Sequence, residues 1–424
     1  MRWSGAELTV RSLQAHGVDL VVGLVGDHIL PILNQLPDFG IRFLDVRHES
    51  AGVHTADGLA RATGRTTVCL TTGGPGLANS IAGLAVAGLA GSPVVHISGH
   101  PGLAFESMGG RQQIDQVAFT APATKASRLV RDVRRIPTTL AEAFRLAGSG
   151  RPGPVHVTIP LNVQQAGVEG SEAPVASFPL PSPSQAIPDA VGEAMAILQA
   201  AKRPVAIAGG ATRFSVKPET LQQLLERTGI PLFTADQARG LISDNHPQSL
   251  GYPDPELNET GALIEKADVV VLIGAKQDAQ LKFCHPPFVR ADAQIIQMDP
   301  DAFEIGRNRA VAVGLLGDLE SIMQQWLAAA QRTSWPDWSG WLKELQLVRR
   351  AYVERLAESA RGDRDLPMHP LHVYRSVQEV LPAGATLLFD IGDFGIWGRT
   401  YLPAEGPGRW IAPGPLGHLG STLP

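Results

Sequence analysis

The chain has 424 residues, of which 44% are hydrophobic and 18% charged, a composition that can build buried cores and excludes wholesale disorder. Lys and Arg total 36 against 41 Asp and Glu, and the net charge of -5 predicts no general attraction to nucleic acid or to an anionic membrane. The two cysteines, Cys69 and Cys284, are far apart, which excludes a disulfide scaffold and a cysteine zinc cluster.

The beginning of the sequence carries charged residues where a signal peptide needs an apolar run, so we expect no export. The most apolar stretch, residues 81–97, is interrupted by glycines and a proline and falls short of the ~20 residues that span a bilayer. These features predict a soluble, cytoplasmic protein.

Residues 1–167 alternate short runs of Val, Ile and Leu with longer stretches of helical period, which is typical of βαβ units around a buried parallel sheet. Strands are predicted at 20–25, 67–71, 93–98 and 155–159. Helices are predicted at 51–63 and 78–90, where Ala and Gly are frequent enough to allow close packing on a sheet. Residues 168–187 cluster Pro and Ser and are interpreted as an interdomain linker.

The alternation resumes in residues 188–331, which predicts a second α/β domain. Its strands are predicted at 205–208, 231–233, 269–273 and 295–298. A charged helix at 335–360 predicts a connector over 332–366, followed by a helix at 371–380 and a strand at 386–390. The 58 residues 367–424 are fewer than the roughly 100 of a similar domain, so we expect them to be the start of an incomplete third domain.

Four segments of the first domain carry candidate chemistry. They are LVGDHI at 24–29, DVRHESAGVHTADGLAR at 45–61, TTGGPGLAN at 71–79 and QQIDQ at 112–116. The second segment is predicted to place Glu49 at a strand end before a helix. Taken singly, a glycine-rich turn or a glutamate in such a position is most often structural.

Together and in this order, the four segments resemble the pyrimidine-binding domain of thiamine-diphosphate enzymes. The branch is the one that holds acetolactate synthase, benzaldehyde lyase, benzoylformate decarboxylase and oxalyl-CoA decarboxylase. The resemblance runs from about Glu7 to the end of the chain and is strongest in residues 17–125. In this family, R-H-E-x-x-A followed by A-D-G-x-A-R marks the cofactor-activating glutamate, and the pattern stands here from Arg47 to Arg61.

The resemblance implies a three-domain α/β architecture of parallel sheets flanked by helices, with the third domain incomplete. It implies thiamine diphosphate and Mg²⁺ as cofactors. It also implies a homodimer or homotetramer, because family members place the cofactor between the first domain of one subunit and the third domain of another.

The need for Glu49 can also be argued from chemistry. The cofactor must lose a proton from the carbon between the nitrogen and sulfur of its thiazolium ring, which water at neutral pH removes poorly. A carboxyl group that hydrogen-bonds the aminopyrimidine ring favours the tautomer that can take this proton. An apolar pocket strengthens that hydrogen bond, and the neighbours Ala51, Gly52 and Val53 suit such a pocket.

The resemblance assigns further residues. Those expected to line the aminopyrimidine are Gly26, Thr72, Gly74, Pro75 and Asn79. His28 either faces the substrate, where it could move protons, or bonds a backbone carbonyl, and both readings stay open. Gln112 aligns with a substrate-side glutamine, although Gln113 beside it leaves the register open. We interpret His48, His54 and His96 as buried core histidines.

Two glycine-rich turns of the middle domain, at 205–211 and 271–278, stand where some relatives bind flavin or an adenine nucleotide. Lys276-Gln277-Asp278 replaces the arginine-bearing pattern of the flavin-binding relatives, so FAD or another nucleotide is not expected. In the third domain, the family holds the diphosphate and Mg²⁺ through Gly-Asp-Gly and a later Asn. Here Gly392-Asp393 is followed by Phe394, so we assign these two residues to an earlier cofactor-side turn and expect the metal ligands outside this sequence.

The leading hypothesis is a thiamine-diphosphate enzyme that forms or cleaves a C–C bond next to a carbonyl, as a 2-oxo acid decarboxylase or an acetolactate-synthase-like carboligase. A 2-hydroxyacyl-CoA or benzoin-type lyase is the alternative, so the substrate is a 2-oxo acid, an aldehyde or an acyl-CoA. From other classes, a non-catalytic homologue that binds no cofactor and a flavin or nicotinamide oxidoreductase built on the middle domain stay open.

Overall fold

The computed structural model describes residues 2–170, 175–179, 181–361, 367–412 and 414–422. They form two compact units, one comprising the residues up to 181 together with those from 413 onward, the other residues 182–412. The fold class is α/β with parallel sheets flanked by helices, as predicted. Parts of the predicted linker (171–174 and 180) and connector (362–366) lie outside the described residues, and the predicted domain boundaries stay predictions.

The first unit alternates strands and helices along its whole length. In chain order they are β1 (Arg2–Ser4), α1 (Gly5–Ala15), β2 (Leu20–Gly23), α2 (Leu30–Gln35), β3 (Arg42–Asp45), α3 (Glu49–Thr63), β4 (Thr67–Thr71), α4 (Pro75–Ala90), β5 (Val94–His100), α5 (Gln116–Thr120), β6 (Ala126–Leu129), α6 (Ile136–Gly148), β7 (Val155–Pro160), α7 (Leu161–Gln165) and β8 (Gly167–Glu169). A short 3₁₀ helix, Asp27–Ile29, follows β2.

A six-stranded parallel sheet organises this unit, with the strand order β3-β2-β4-β5-β7-β6. All seven residues of β5 are buried, because helices cover both faces of the sheet. Val95 and Ile97 face a core shared with α1 and α6, whereas Val94 faces α3 and α4. The loops after β2, β4 and β5 meet at one edge, since parallel strands end on the same side.

Helices α3 and α4 lie close together because small residues separate them. A Cβ built on Gly83 of α4 would lie 2.7 Å from the Cβ of Val53 in α3, so a larger residue would push the helices apart. Helix α4 begins with Pro75 and is capped after Ala90 by Gly91, whose φ of 74° lies in the left-handed region that glycine adopts freely. The sequence predicts close packing of these helices on the sheet, and α3 shows it at Gly52, where a Cβ would lie 3.3 Å from Cys69 Sγ of β4.

The second unit has its own sheet. Its elements are α8 (Pro188–Ala200), β9 (Pro204–Ala208), α9 (Thr212–Ser215), α10 (Pro218–Thr228), β10 (Leu232–Thr234), β11 (Val269–Ile273), β12 (Gln294–Asp299), β13 (Val313–Leu316), α11 (Leu319–Gln331), α12 (Ser339–Ser359), α13 (Pro370–Val380), β14 (Leu387–Leu388), α14 (Asp393–Tyr401) and β15 (Trp410–Ile411). The order of the five-stranded parallel sheet is β10-β9-β11-β12-β13.

Most strands form within two residues of their predicted positions, and the strand predicted at 386–390 is shorter. It forms only as Leu387–Leu388, because β15, with which it pairs, also contributes two residues. Among the described residues, no helix combines the length and the apolar character that crossing a membrane requires.

Candidate active site

Glu49 begins helix α3, with 8% of its surface exposed. The prediction that it lies at a strand end was wrong by a few residues, since β3 ends at Asp45. His48 caps the helix, and its Nδ1 accepts a hydrogen bond from the Ser50 N–H at 3.2 Å. His48 is exposed, so the interpretation of it as a core histidine was also wrong. The dipole of α3 favours a carboxylate in its first turn.

One oxygen of the Glu49 carboxyl group is held by the neighbouring helix. Asn79 of α4 donates from Nδ2 to Glu49 Oε2 at 2.9 Å. No hydrogen bond reaches the other oxygen, Oε1, from any residue that the structure describes. A Cβ built on Gly76 would lie 3.3 Å from Oε1, so the absence of a side chain at Gly76 leaves space beside this atom. Glu49 thus keeps one carboxyl oxygen available to a ligand.

The glycine-rich turn after β4 brings backbone without side chains to one side of the site, which we call the glycine wall. Gly74 has a φ of 64°, and a Cβ on it would lie 2.4 Å from the Gln112 carbonyl oxygen. A Cβ on Gly76 would lie 2.8 Å from Thr72 Cγ2, and one on Gly26 would lie 2.5 Å from Thr72 Cβ. Any larger residue at these three positions would therefore displace the walls of the site.

Among the buried polar atoms without a hydrogen-bond partner in the described residues, two belong to residues that were predicted for the site. They are Thr72 Oγ1 and His28 Nδ1. Buried polar groups are normally paired, so such atoms indicate where a ligand completes the hydrogen bonding. Together with the free oxygen of Glu49 and the glycine wall, they fit a polar heteroaromatic ring such as an aminopyrimidine.

His28 lies in the 3₁₀ helix after β2 and is partly buried. A Cβ on Gly99 would lie 2.2 Å from the His28 carbonyl oxygen, so Gly99 permits this segment to rest on the end of β5. Gln164 donates to the same carbonyl at 2.7 Å. Burial, and then electrostatic repulsion from His100, lower the pKa of His28 from its ordinary value, so the ring is neutral at pH 7.

Of the remaining predicted residues, Gln112 lies directly against the glycine turn, with its backbone at a φ of 62°. Pro75 and Asn79 are exposed, although Asn79 still reaches Glu49. Gln116 belongs to the QQIDQ segment at 112–116, but the sequence predicted no role for it. Gln116 is only 3% exposed and accepts a hydrogen bond from the Gly74 N–H at 3.3 Å.

An open cleft of about 700 Å³ adjoins these residues in the first unit. Its lining includes His100, Gln113, Gln116 and Thr158. Two arginines of the cleft are already paired, because Arg131 donates to Glu106 and Arg128 donates to Glu142. The cleft therefore offers neutral hydrogen-bonding groups, His100 and the exposed carboxyl group of Asp115 to a small polar molecule.

Gly392 and Asp393 lie in the second unit at the beginning of α14, where Gly392 has a φ of 105° and both residues are exposed. The glycine-rich turns after β9 and β11 touch, since a Cβ on Gly209 would lie 2.3 Å from Ala275 Cα. Lys276 is paired with Glu304 at 3.1 Å. Within the residues that the structure describes, no group of three or more His, Cys, Asp or Glu side chains could hold a metal ion.

Comparisons with known proteins cover both units. Residues 3–119 match the N-terminal TPP binding domain of thiamine pyrophosphate enzymes, and residues 191–326 match the central domain of the same enzymes. The chain is 33% identical over 427 residues to an acetolactate synthase of Mycobacterium bovis, covering 99% of this chain and 68% of that protein. It is 30% identical over 438 residues to a probable acetolactate synthase large subunit of Methanocaldococcus jannaschii, with 99% and 72% covered. For the large subunit of acetolactate synthase isozyme 1 of Escherichia coli, the identity is 28% over 430 residues, with 100% and 74% covered.

Proposed function

This chain belongs to the thiamine-diphosphate-dependent enzymes, and from that membership we propose that it forms or cleaves C–C bonds next to a carbonyl group. The reaction that we favour is the carboligation of 2-oxo acids, because the similar proteins are named acetolactate synthases. The observation that carries the proposal is the buried Glu49 carboxyl group with one oxygen held by Asn79 and the other free.

Thiamine diphosphate, when bound, supplies a carbon nucleophile and an electron sink. Glu49 would bind a nitrogen of the aminopyrimidine ring through Oε1 and hold or move a proton there, while Asn79 fixes the orientation of the carboxyl group. Thr72 Oγ1 would complete its hydrogen bonding with the same ring. The backbone of Gly26, Gly74 and Gly76 would let the ring approach closely, and Pro75 begins the helix that carries Asn79.

His28 and Gln112 would stand on the substrate side. The neutral ring of His28 could accept a proton from a hydroxyl group or donate a hydrogen bond to a carbonyl oxygen. The Nδ1 of this ring, which has no partner among the described residues, supports the second candidate function, a 2-hydroxyacyl-CoA or benzoin-type lyase, in which a hydroxyl group must lose its proton. A mainly synthase-type enzyme would instead use Gln112 to orient the second substrate.

Mg²⁺ is proposed as the second cofactor, with Gly392 and Asp393 near the diphosphate. Support comes from the position of both residues at the amino end of α14, where backbone N–H groups favour an anion. A homodimer or homotetramer is proposed as the active form. Its support in the first unit is the exposure of Phe105 and Met108, which are 57% and 74% exposed.

The test is the replacement Glu49→Gln in the complete protein, with Glu7→Gln as matched control. Glu7 also lies in the first turn of a helix, where it completes a capping box with Ser4. With thiamine diphosphate, Mg²⁺ and pyruvate supplied, we expect the parent and Glu7→Gln to form acetolactate, and Glu49→Gln to lose 10²-fold or more in kcat, on the order of a general acid–base contribution.

Unchanged turnover in Glu49→Gln would remove the activating role. If acetaldehyde is the only product formed from pyruvate, the decarboxylase alternative is favoured. If cleavage of a 2-hydroxy ketone is the only activity found, the lyase alternative is favoured. Absence of thiamine diphosphate binding in a calorimetric titration with Mg²⁺ would favour the non-catalytic homologue.

A further inference from the structure

Six buried residues next to the glycine turn of the first unit are connected by hydrogen bonds between their side chains. They come from three adjacent strands and one helix: Thr71, His96, Ser98, His156, Thr158 and Gln116. Each is at most 3% exposed. Strand register sets His96 beside His156 and Ser98 beside both Thr71 and Thr158, so the strand side chains share one face of the sheet.

Gln116 joins this group to the turn. Its Oε1 accepts from the Gly74 N–H at 3.3 Å, and its Nε2 donates to the Gly99 carbonyl at 2.9 Å. The Gly74 N–H can only donate and the Gly99 carbonyl can only accept, so the two backbone groups fix the orientation of the amide. Gly99 supports His28, and Gly74 leads into the helix whose Asn79 holds Glu49. One side chain thus connects both sides of the candidate active site.

The histidine pair is connected to Gln116 through the hydroxyl group of Thr158. His96 Nδ1 and His156 Nδ1 are 2.9 Å apart, and His156 Nε2 lies 2.8 Å from Thr158 Oγ1, to which Gln116 Nε2 also donates at 3.4 Å. At the other end, His96 Nε2 lies 3.1 Å from Thr71 Oγ1, at the last residue of β4. The turn between β4 and α4 is therefore tied to the same group of residues at both of its ends.

The two rings must be opposite tautomers. Burial keeps both neutral, and a hydrogen bond between two Nδ1 atoms requires that one carries the proton and the other accepts it. Each remaining Nε2 then has a defined role toward a threonine hydroxyl. A pair with opposite tautomers holds its neighbours in one arrangement, since a single change of partner leaves a buried polar atom unpaired.

We propose that Gln116, held by the His96–His156 pair, is a positioning residue that fixes the glycine turn before cofactor binds. The inference deepens the proposed function and rests on it for the identity of the cofactor. It predicts that the backbone at Gly74 is already ordered in the cofactor-free protein, and that loss of the Gln116 amide loosens the turn without removing any group that touches the cofactor.

The test uses Gln116→Met and Gln116→Glu in the full chain. Met removes all of the hydrogen bonds that the amide makes, whereas Glu keeps an acceptor for the Gly74 N–H. In cofactor-free protein, hydrogen exchange in the peptide 72–77 is expected to be about tenfold faster in Gln116→Met. In Gln116→Glu it is expected to increase by a smaller factor, because the carboxyl group still accepts from the Gly74 N–H but no longer donates to the Gly99 carbonyl. His156→Leu, which weakens the support without touching the turn, is expected to increase exchange by a smaller factor.

Gln248→Met is the matched control. Gln248 of the second unit is 7% exposed and donates to the Leu225 and Ile230 carbonyls at 2.7 and 3.0 Å. This variant is expected to lower the melting temperature and leave exchange in peptide 72–77 unchanged. The Kd for thiamine diphosphate is expected to rise about tenfold in Gln116→Met and to stay at the parent value in the control.

Equal exchange in Gln116→Met and the parent would overturn the proposal, and so would faster exchange with an unchanged Kd. If the parent itself binds no thiamine diphosphate, the proposed function fails, and the exchange rates still decide whether Gln116 holds the turn.

Discussion

The Nδ2 of Asn79 lies 2.9 Å from Oε2 of Glu49, so a residue of α4 orients the carboxyl group that begins α3. The bond links two helices that follow different strands and whose close packing depends on glycine. A hydrogen bond to a charged group contributes about 1.5–3 kcal/mol. The orientation of Glu49 therefore depends on Asn79 as well as on its own helix.

The replacement Asn79→Asp tests this bond. It sets a second carboxylate against Glu49, which repels the charged form and withdraws the donor. We expect kcat/KM to fall about 10²-fold in Asn79→Asp. In Asn79→Ala we expect it to fall about tenfold, because this variant loses the donor without adding repulsion. Steady-state kinetics with saturating thiamine diphosphate measure both, and equal activity of all three proteins would show that Asn79 does not orient Glu49.

Gly76 tests the space beside the free carboxyl oxygen. In Gly76→Ala the new Cβ would meet Thr72 Cγ2 at 2.8 Å and Glu49 Oε1 at 3.3 Å. The overlap costs about 1–3 kcal/mol, and we expect the Kd for thiamine diphosphate in a calorimetric titration to rise about tenfold or more. Gly58→Ala in α3 is the control, since nothing lies within 4 Å of its Cβ. It is expected to raise the free energy of unfolding by about 0.5–1 kcal/mol and leave the Kd unchanged.

His28 predicts an acid limit on activity. Burial, then His100, lower the pKa of His28 below 6.5, so the ring is neutral above that pH and gains a proton only in more acidic solution. A reaction that needs the neutral ring should be constant above pH 6.5 and decline below it. In His28→Asn we expect kcat to fall about 10²-fold and the acid decline to disappear. Profiles of kcat/KM from pH 5 to 8 decide this, and an unchanged decline in the variant would assign it to another group.

The buried histidine pair predicts a pH-dependent stability. Burial lowers the pKa of His96 to about 3, and burial followed by repulsion from His96 lowers the pKa of His156 well below its ordinary value. Below pH 6.5 the unfolded chain binds protons that the folded chain excludes, so stability falls as the pH falls. Each ring contributes a slope of up to about 1.4 kcal/mol per pH unit.

The double variant His96→Leu, His156→Leu removes both titrating rings. We expect the slope of the free energy of unfolding between pH 6 and pH 4 to decrease by about 2 kcal/mol per pH unit relative to the parent. Urea unfolding at several pH values measures the slope. If the two proteins lose stability in parallel, the rings are not kept neutral by the fold.

Local patterns were sufficient for most of the elements. The strand Val269–Ile273 is an uninterrupted run of Val, Leu and Ile, and it forms at the predicted residues because a strand buried on both faces needs no polar alternation. Glu49 and the glycine turn were identified because the four segments, in their order along the chain, resemble those of thiamine-diphosphate enzymes. The position of Glu49 was predicted less well, because helix α3 begins with a histidine cap that periodicity does not reveal.

The sequence by itself determined the α/β class, the positions of the buried strands and the residue types of the glycine turn, since each depends on neighbours a few residues away. Only the tertiary structure decided that His96 contacts His156 and that Gln116 holds Gly74, contacts that span 60 and 42 residues. Side-chain alternation tells which residues of a strand share a face. Which strand lies beside it is set by the packing of the whole sheet, and here β7 rather than β6 lies against β5.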